Sequence, residues 1–373
     1  MASPLHVILA PNAFKNSLSS FEVCHILAKE LTGRGISSLS LPMGDGGDGT
    51  AKIIAHYTGA QPVTVNTVDA LGRELTASYY LYQDTAIIEL ASSCGIRQLK
   101  RNEYNILETN SAGFGIMIRH ALSSGYRKLI LCIGGSACVD MGVGALIEMG
   151  LEIERESATP RNPLMGIKAI HPESLQEYYA NTEITVLCDV DNPLYGEKGA
   201  AYIFAPQKGA SPKQVDMLDQ QLRVLASMMS DTTSKQLHPL KHGGAAGGVA
   251  LSFYALLNAS LQSGAEYCLS LSRFEEHLSH VNAVITGEGK IDRQSLYGKI
   301  PGTIATLCKT HSCPVYAISG MAEKAVYPFF EHIFTISAHA TSIEDSITNA
   351  PHYLKMIAQQ MAETLYDEMI YRL

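Results

Sequence analysis

The chain has 373 residues, enough for about two domains at roughly 100–200 residues each. Lys plus Arg number 28 and Asp plus Glu 36, a formal net charge of −8. That balance argues against a nucleic-acid partner, which needs a basic footprint to replace condensed counterions. With 46% hydrophobic and 17% charged residues, this is a packed globular sequence and not a disordered one. No apolar run approaches the ~18 residues that span a bilayer. The first residues carry neither the basic n-region nor the long apolar h-region of a signal peptide, so no membrane association is expected. Eight cysteines without a CxxC fit a reduced, cytoplasmic protein, and Cys132 and Cys188 sit in apolar runs that read as core.

Along the chain, short strand-like runs alternate with helical patterns. Val7-Ile8-Leu9-Ala10 is continuously apolar, as buried parallel strands are. Ser19 and Glu22 have capping-box spacing and predict a helix over 20–32 that stops at Gly33. A strand over 36–41, a glycine-rich loop over 44–49 and a helix over 50–57 follow. Between 62 and 88 the texture becomes a meander of shorter, alternating strands at 63–65, 75–82 and 85–88. Phe114, Ile118, Ala121 and Leu122 restore helical periodicity. Residues 129–133 read as a strand ending in Gly134-Gly135-Ser136, with a helix over 140–149. Residues 154–182 lack periodicity and read as a surface excursion. A strand over 184–187 ends at Asp189, a helix covers 212–229, and residues 243–248 open another helix. Strands over 281–286 and 314–319 end in Gly287-Glu288-Gly289 and Gly320. In the last helix, over 353–369, Leu354, Ile357, Met361 and Leu365 share one face. These units predict an α/β protein. A Rossmann- or flavodoxin-like parallel-sheet domain is built from residues 1–62 and 265–373, with 105–150 as a candidate addition, and a second α/β domain over 63–264 is inserted.

In open α/β sheets ligands bind at the carboxyl ends of strands, and three strands here end in glycine-rich turns, at 134–136, 287–289 and 320. Glycine alone is as readily a tight turn as a phosphate cradle. Residues 44–49 match GxGxxG literally, but Asp45 and Asp48 inside that loop would repel a pyrophosphate. Carboxylates recur at strand ends: Asp45 and Asp48, Asp189 and Asp191, Glu288 and Asp292. Such groups hold Mg²⁺ through oxygen or accept a hydroxyl proton. Lys15, Lys208, Lys290 and Lys299 lie in the same loops. Lysines beside glycine turns and carboxylates are what phosphoryl transfer requires.

The residues also carry a resemblance. Ala10-Pro11-Asn12-Ala13-Phe14-Lys15-Asn16-Ser17-Leu18-Ser19 is similar to the APDSFKGSLS of the glycerate kinase family. Pro42-Met43-Gly44-Asp45-Gly46-Gly47-Asp48-Gly49-Thr50 resembles its P-x-A-DGGEGT, and Gly134-Gly135-Ser136-Ala137 with Asp140 and Gly142 its GGSATNDGG. Cys188-Asp189-Val190-Asp191-Asn192-Pro193-Leu194 resembles CDVxNPL, and Phe204-Ala205-Pro206-Gln207-Lys208-Gly209-Ala210 resembles FGPQKGA. Residues 242–248 resemble PGAGAAGG. Thr286-Gly287-Glu288-Gly289-Lys290-Ile291-Asp292, with Gln294, Ser295, Gly298 and Lys299, resembles TGEGRIDxQTxxGK.

The resemblance implies an ATP-dependent, Mg²⁺-assisted kinase that phosphorylates the 2-hydroxyl of D-glycerate, with two α/β domains and the active site in the cleft between them. Asp189, then Asp191, are expected as proton acceptor or metal ligand, because they stand in tandem after a strand. Lys15 is grouped with them as catalytic, and Glu288 joins them as a metal candidate. Asn12, Ser17, Asp45, Asp292 and Lys299 are the expected substrate contacts. Gly134, Gly135, Ser136, Gly287, Glu288 and Gly289 are expected to cradle the ATP phosphates through backbone N–H groups. Asn12 stands where the family has Asp, Asn16 where it has Gly, Cys138-Val139 where it has Thr-Asn, and Met141 where it has Gly. These departures keep two alternatives open, a kinase of another small hydroxy acid and a non-catalytic glycerate or nucleotide sensor.

Overall fold

The apolar run at 7–10 forms the strand His6–Pro11, and its partners bring the two ends of the chain together. The computed structural model describes residues 5–156, 160–188, 190–296 and 298–370. It divides into two units, Met1–Asp45 with Ala265–Leu373, and Gly46–Gly264.

In the first unit five strands lie in the order Ser37–Ser40, His6–Pro11, Ala283–Ile291, Val315–Ala322, His332–Thr335. All four pairings are parallel. Numbered along the chain the order is 2-1-3-4-5, the flavodoxin arrangement. Strand order reverses between His6–Pro11 and Ala283–Ile291, where Val7 faces Ala283 and Pro11 faces Gly287. Such a reversal leaves a crevice at the carboxyl ends of the two strands, the place where doubly wound folds bind ligands.

Helix Ser20–Thr32 begins at the expected capping box. Ser19 N–H donates to Glu22 Oε2 at 2.8 Å, and Glu22 N–H donates back to Ser19 Oγ at 3.3 Å. Its buried Val23, Leu27 and Leu31 pack in one core with Leu354, Ile357, Met361 and Leu365 of helix Ala350–Ile370. Each such side chain contributes about 1.5–3 kcal/mol relative to an exposed one.

Two of the three expected glycine turns are not turns. Gly287, Glu288 and Gly289 lie inside strand Ala283–Ile291, and Gly320 lies inside Val315–Ala322. Glu288 pairs with Ser319 and Lys290 with Met321, so backbone polar groups there serve the ladder. The glycine has another cause: a Cβ on Gly287 would lie 2.1 Å from the Ile318 carbonyl oxygen. Close approach of two strands selects glycine as strictly as a turn does.

The second unit holds a six-stranded sheet in the order Ser260–Ser263, Glu183–Cys188, Lys128–Cys132, Thr85–Glu89, Glu74–Tyr82, Gln61–Val68. The first four run parallel. The last three are the expected meander and pair antiparallel. Helix Thr50–Thr58 packs on Glu74–Tyr82 and Thr85–Glu89, so the division falls after Asp45 and not at residue 62. Residues 105–150 also belong here, since Lys128–Cys132 is flanked on both sides by strands of this sheet. The stretch 154–182 is more than a surface excursion. It holds the second strand of the hairpin Glu152–Arg155/Ile167–His171, and the helix Glu173–Tyr179, which bury Ile167, Ile170 and Leu175. No helix among the described residues is long and apolar enough to cross a membrane.

Candidate functional site

At the strand-order reversal of the first unit, the end of His6–Pro11 delivers Asn12 and the neighbouring strand delivers Glu288. Asn12 is buried; its Oδ1 accepts the Ala13 N–H at 2.8 Å and its Nδ2 donates to Asp45 Oδ2 at 2.9 Å. Glu288 is 5% exposed, and its Oε1 has no hydrogen-bond partner among the described residues. Burial pushes the Glu288 carboxyl above its ordinary value. The charges of Lys299 and Lys15 and a hydrogen bond with Ser295 pull it down, while Asp45 pushes it further up. A buried carboxylate with an idle oxygen is costly unless something fills the gap.

Asp292 lies at the edge of this cluster. Burial raises its pKa, but the hydrogen bond and charge of Lys290 (Nζ to Oδ2 3.0 Å), with the charge of Lys299, hold it below the usual range. Lys299 stands at the N-cap position of helix Ile300–Thr310, with no side-chain hydrogen bond to the helix. Lys15 is exposed. Ser17 is committed elsewhere, since its hydroxyl donates to the Ile347 carbonyl at 2.8 Å. Of the expected first-unit residues, then, Asn12, Asp45 and Glu288 are buried together, Lys15, Lys299 and Asp292 supply surrounding charge, and Ser17 anchors a loop.

In the second unit the turn at 134–136 follows strand Lys128–Cys132 as expected. Gly134 N–H is taken by the Gly46 carbonyl at 2.9 Å. The N–H groups of Gly135 and Ser136 find no acceptor among the described residues. Gly135 has φ 78°, a left-handed backbone that favours glycine. Beside it lies one of the loop lysines noted in the sequence but given no role there. Lys208 is 6% exposed, and its ammonium donates to Ser136 Oγ at 2.8 Å and the Cys138 carbonyl at 2.7 Å. A lone loop lysine looks solvated in sequence; only the fold turns it inward.

Asp189 lies outside the described residues. Asp191 follows strand Glu183–Cys188 and is about half exposed, with its Oδ1 3.1 Å from His242 Nδ1 and 3.6 Å from Lys241 Nζ. Among the described residues no group of three or more His, Cys, Asp or Glu side chains is placed to hold a metal ion. Mg²⁺ does not require one, because it commonly takes one or two carboxylates and completes its shell with water and substrate phosphates. The idle Glu288 oxygen, with Asp45 near enough to perturb it, fits that modest donor set.

At the literal GxGxxG over 44–49 a carboxylate of the protein already holds the place an anion would take. Glu89 already occupies the start of helix Thr50–Thr58, both its oxygens lying 3.0 Å from Gly49 N and one also 3.0 Å from Ala51 N. Asp48 is paired with Arg97 at 2.7 Å. Replacing Glu89 by Ala strands buried N–H donors and is expected to destabilise the protein by about 1–3 kcal/mol. A urea midpoint equal to that of the unaltered protein would refute this.

Comparison with known proteins decides the family. The model of the glycerate kinase family matches residues 7–366. The chain belongs to the glycerate kinase family. It is 32% identical to a glycerate kinase of Bacillus subtilis (strain 168), over 97% of this chain and 98% of that protein. It is also 32% identical to a glycerate 2-kinase of Escherichia coli (strain K12), over 97% and 98%. A crystal structure designated glycerate kinase 2 from Salmonella typhimurium LT2 superposes with TM-score 0.76 at 32% identity, covering 98% of this chain and all of that one.

Membership places the departures from the glycerate kinase blocks in context. Val139 and Met141 are fully buried in the apolar core of the second unit, so their side chains serve packing. Asn12 keeps a neutral donor against Asp45, where an aspartate would set a further carboxylate beside Asp45 and Glu288. Asp140 is wholly structural. Its Oδ2 accepts from Ser111 N–H (2.8 Å), Ser111 Oγ (2.7 Å) and Gly144 N–H (3.2 Å), and its Oδ1 accepts from Gly142 N–H (3.1 Å).

Proposed function

We propose that this protein transfers the γ-phosphoryl group of ATP to the 2-hydroxyl of D-glycerate, yielding 2-phosphoglycerate and ADP. The observation that carries the reading is the Glu288 carboxylate: buried, with one oxygen idle, at the strand-order reversal of the first unit and under the charges of Lys15 and Lys299. Family membership supplies the reaction class, and glycerate is the substrate named for the relatives.

Phosphoryl transfer depends mainly on positioning and charge neutralisation. Glu288 and Asp45 would hold Mg²⁺, which supplies electrostatic stabilisation of the transferring phosphoryl oxygens. Lys15 and Lys299 bind the anionic oxygens of substrate and nucleotide, with Asp292 orienting Lys290 at the edge. The free N–H groups of Gly135 and Ser136, with the Lys208 ammonium, bind phosphate oxygens. Asp189 or Asp191 accepts the proton of the glycerate hydroxyl as its oxygen bonds to phosphorus and the bond to the ADP oxygen breaks. Cytoplasmic residence follows from the reduced cysteine usage.

The test is incubation of the purified protein with D-glycerate, ATP and Mg²⁺, with the product resolved by ³¹P NMR. A 2-phosphoglycerate resonance is expected. A 3-phosphoglycerate resonance would retain the kinase and overturn the position of transfer. Consumption of ATP with no glycerate product would overturn the substrate.

A further inference from the structure

We propose that His242 is a positioning residue that fixes the Asp191 carboxylate for the transfer step; this rests on the kinase reading above. His242 has φ 67°, in the left-handed region, where a side chain with a Cβ costs roughly 1–2 kcal/mol. Strain of that kind persists only where the surroundings over-determine it. The surroundings here are specific. His242 is 8% exposed, and its Nδ1 lies 2.8 Å from the Val190 carbonyl oxygen and 3.1 Å from Asp191 Oδ1.

Both neighbours are acceptors, so Nδ1 carries the hydrogen and the ring orientation is fixed. That N–H donates to the Val190 carbonyl, and Asp191 Oδ1 lies against the same nitrogen, so one imidazole pins the main chain at 190 and abuts the side chain at 191. The tie continues along the backbone, because Gly244 N–H donates to the Asn192 carbonyl at 2.9 Å. Asp191's other partner, Lys241, is 3.6 Å away and 68% exposed, and such exposed ion pairs hold little geometry. His242 is thus the contact that selects one orientation for a carboxylate that is otherwise half in solvent. A side chain that orients a reacting group from behind typically influences activity by about 10–100-fold.

Three variants test this. His242→Gly removes the imidazole and relieves the left-handed backbone. Its kcat with D-glycerate is expected to fall about 10–100-fold while its melting temperature stays equal or rises. His242→Asn tolerates the same backbone and offers an amide N–H in place of Nδ1–H, so it is expected to restore most of the lost kcat. In an Asp191→Asn background, His242→Gly is expected to cost nothing further. Wild-type kcat in the Gly variant would overturn the proposal, as would an Asn variant no faster than Gly. So would a loss in the Asp191→Asn background as large as in the unaltered one, which marks a merely structural role. If the wild-type protein phosphorylates no hydroxy acid, the kinase reading falls, and this proposal with it.

Discussion

Glu288→Gln is expected to lower kcat by about 10²–10³-fold and at the same time to stabilise the protein. The two effects share one cause. The carboxylate is buried with an idle oxygen, so its charge is held ready for a ligand and serves no partner of its own on that side. Its folded-state pKa lies above the ordinary 4.5, with burial as the largest cause. Below pH 4.5 the group is protonated in folded and unfolded chains alike, and its burial carries no charge penalty. As pH rises from there through the raised folded value, the unfolded chain releases the proton first, and stability declines. Gln has no proton to lose, so that decline should vanish. Melting temperatures of both proteins across pH 4–8 in chelator would measure it. The same variant should need more Mg²⁺ for half-maximal rate. Parallel pH curves, or unchanged turnover, would contradict the assignment.

Gly287→Ala is expected to cost about 3 kcal/mol or more, a large effect for one methyl group. The added Cβ would lie 2.1 Å from Ile318 O and 2.6 Å from Ile318 Cγ1. Neither can retreat easily, because Gly287 pairs with Pro11 on one side and Ile318 on the other, in the middle of the sheet. In urea the first unit should lose roughly 1 M or more of its midpoint. A variant with an unshifted midpoint would mean that the strands separate freely there.

Local encoding was the legible part. The capping box at Ser19 and Glu22, the stop at Gly33, the meander between 62 and 88 and the apolar face of the last helix all stand as read, because each depends on residues close in sequence. What misled was glycine at 287 and 320. A glycine that ends a strand and one that lets two strands close up are the same letter, and only the register with Ile318 separates them. The division after Asp45 was hidden for a similar reason. Helix Thr50–Thr58 continues the strand–turn–helix rhythm of the first unit, yet its apolar face is buried on strands of the second. In the site, Asn12, Asp45 and Glu288 could be picked out because each follows a buried run, although Glu288 lies within its strand and not at its end. Lys208 stood out only as one of four loop lysines and His242 not as a site residue at all, because nothing next to them in the chain announces that one is drawn inside and the other is held in a left-handed bend.

The pairing of Val7 with Ala283 also sets the order in which this protein can be made. Residues 46–264 form their unit from one continuous segment, whereas the first strand must wait for a neighbour synthesised far later. At about 5–20 residues per second that delay is on the order of tens of seconds. Throughout it, helix Ser20–Thr32 can cap itself but cannot cover Val23, Leu27 and Leu31, whose partners sit near the end of the chain. The middle of the chain can therefore be complete while the apolar stripe at its beginning is still uncovered.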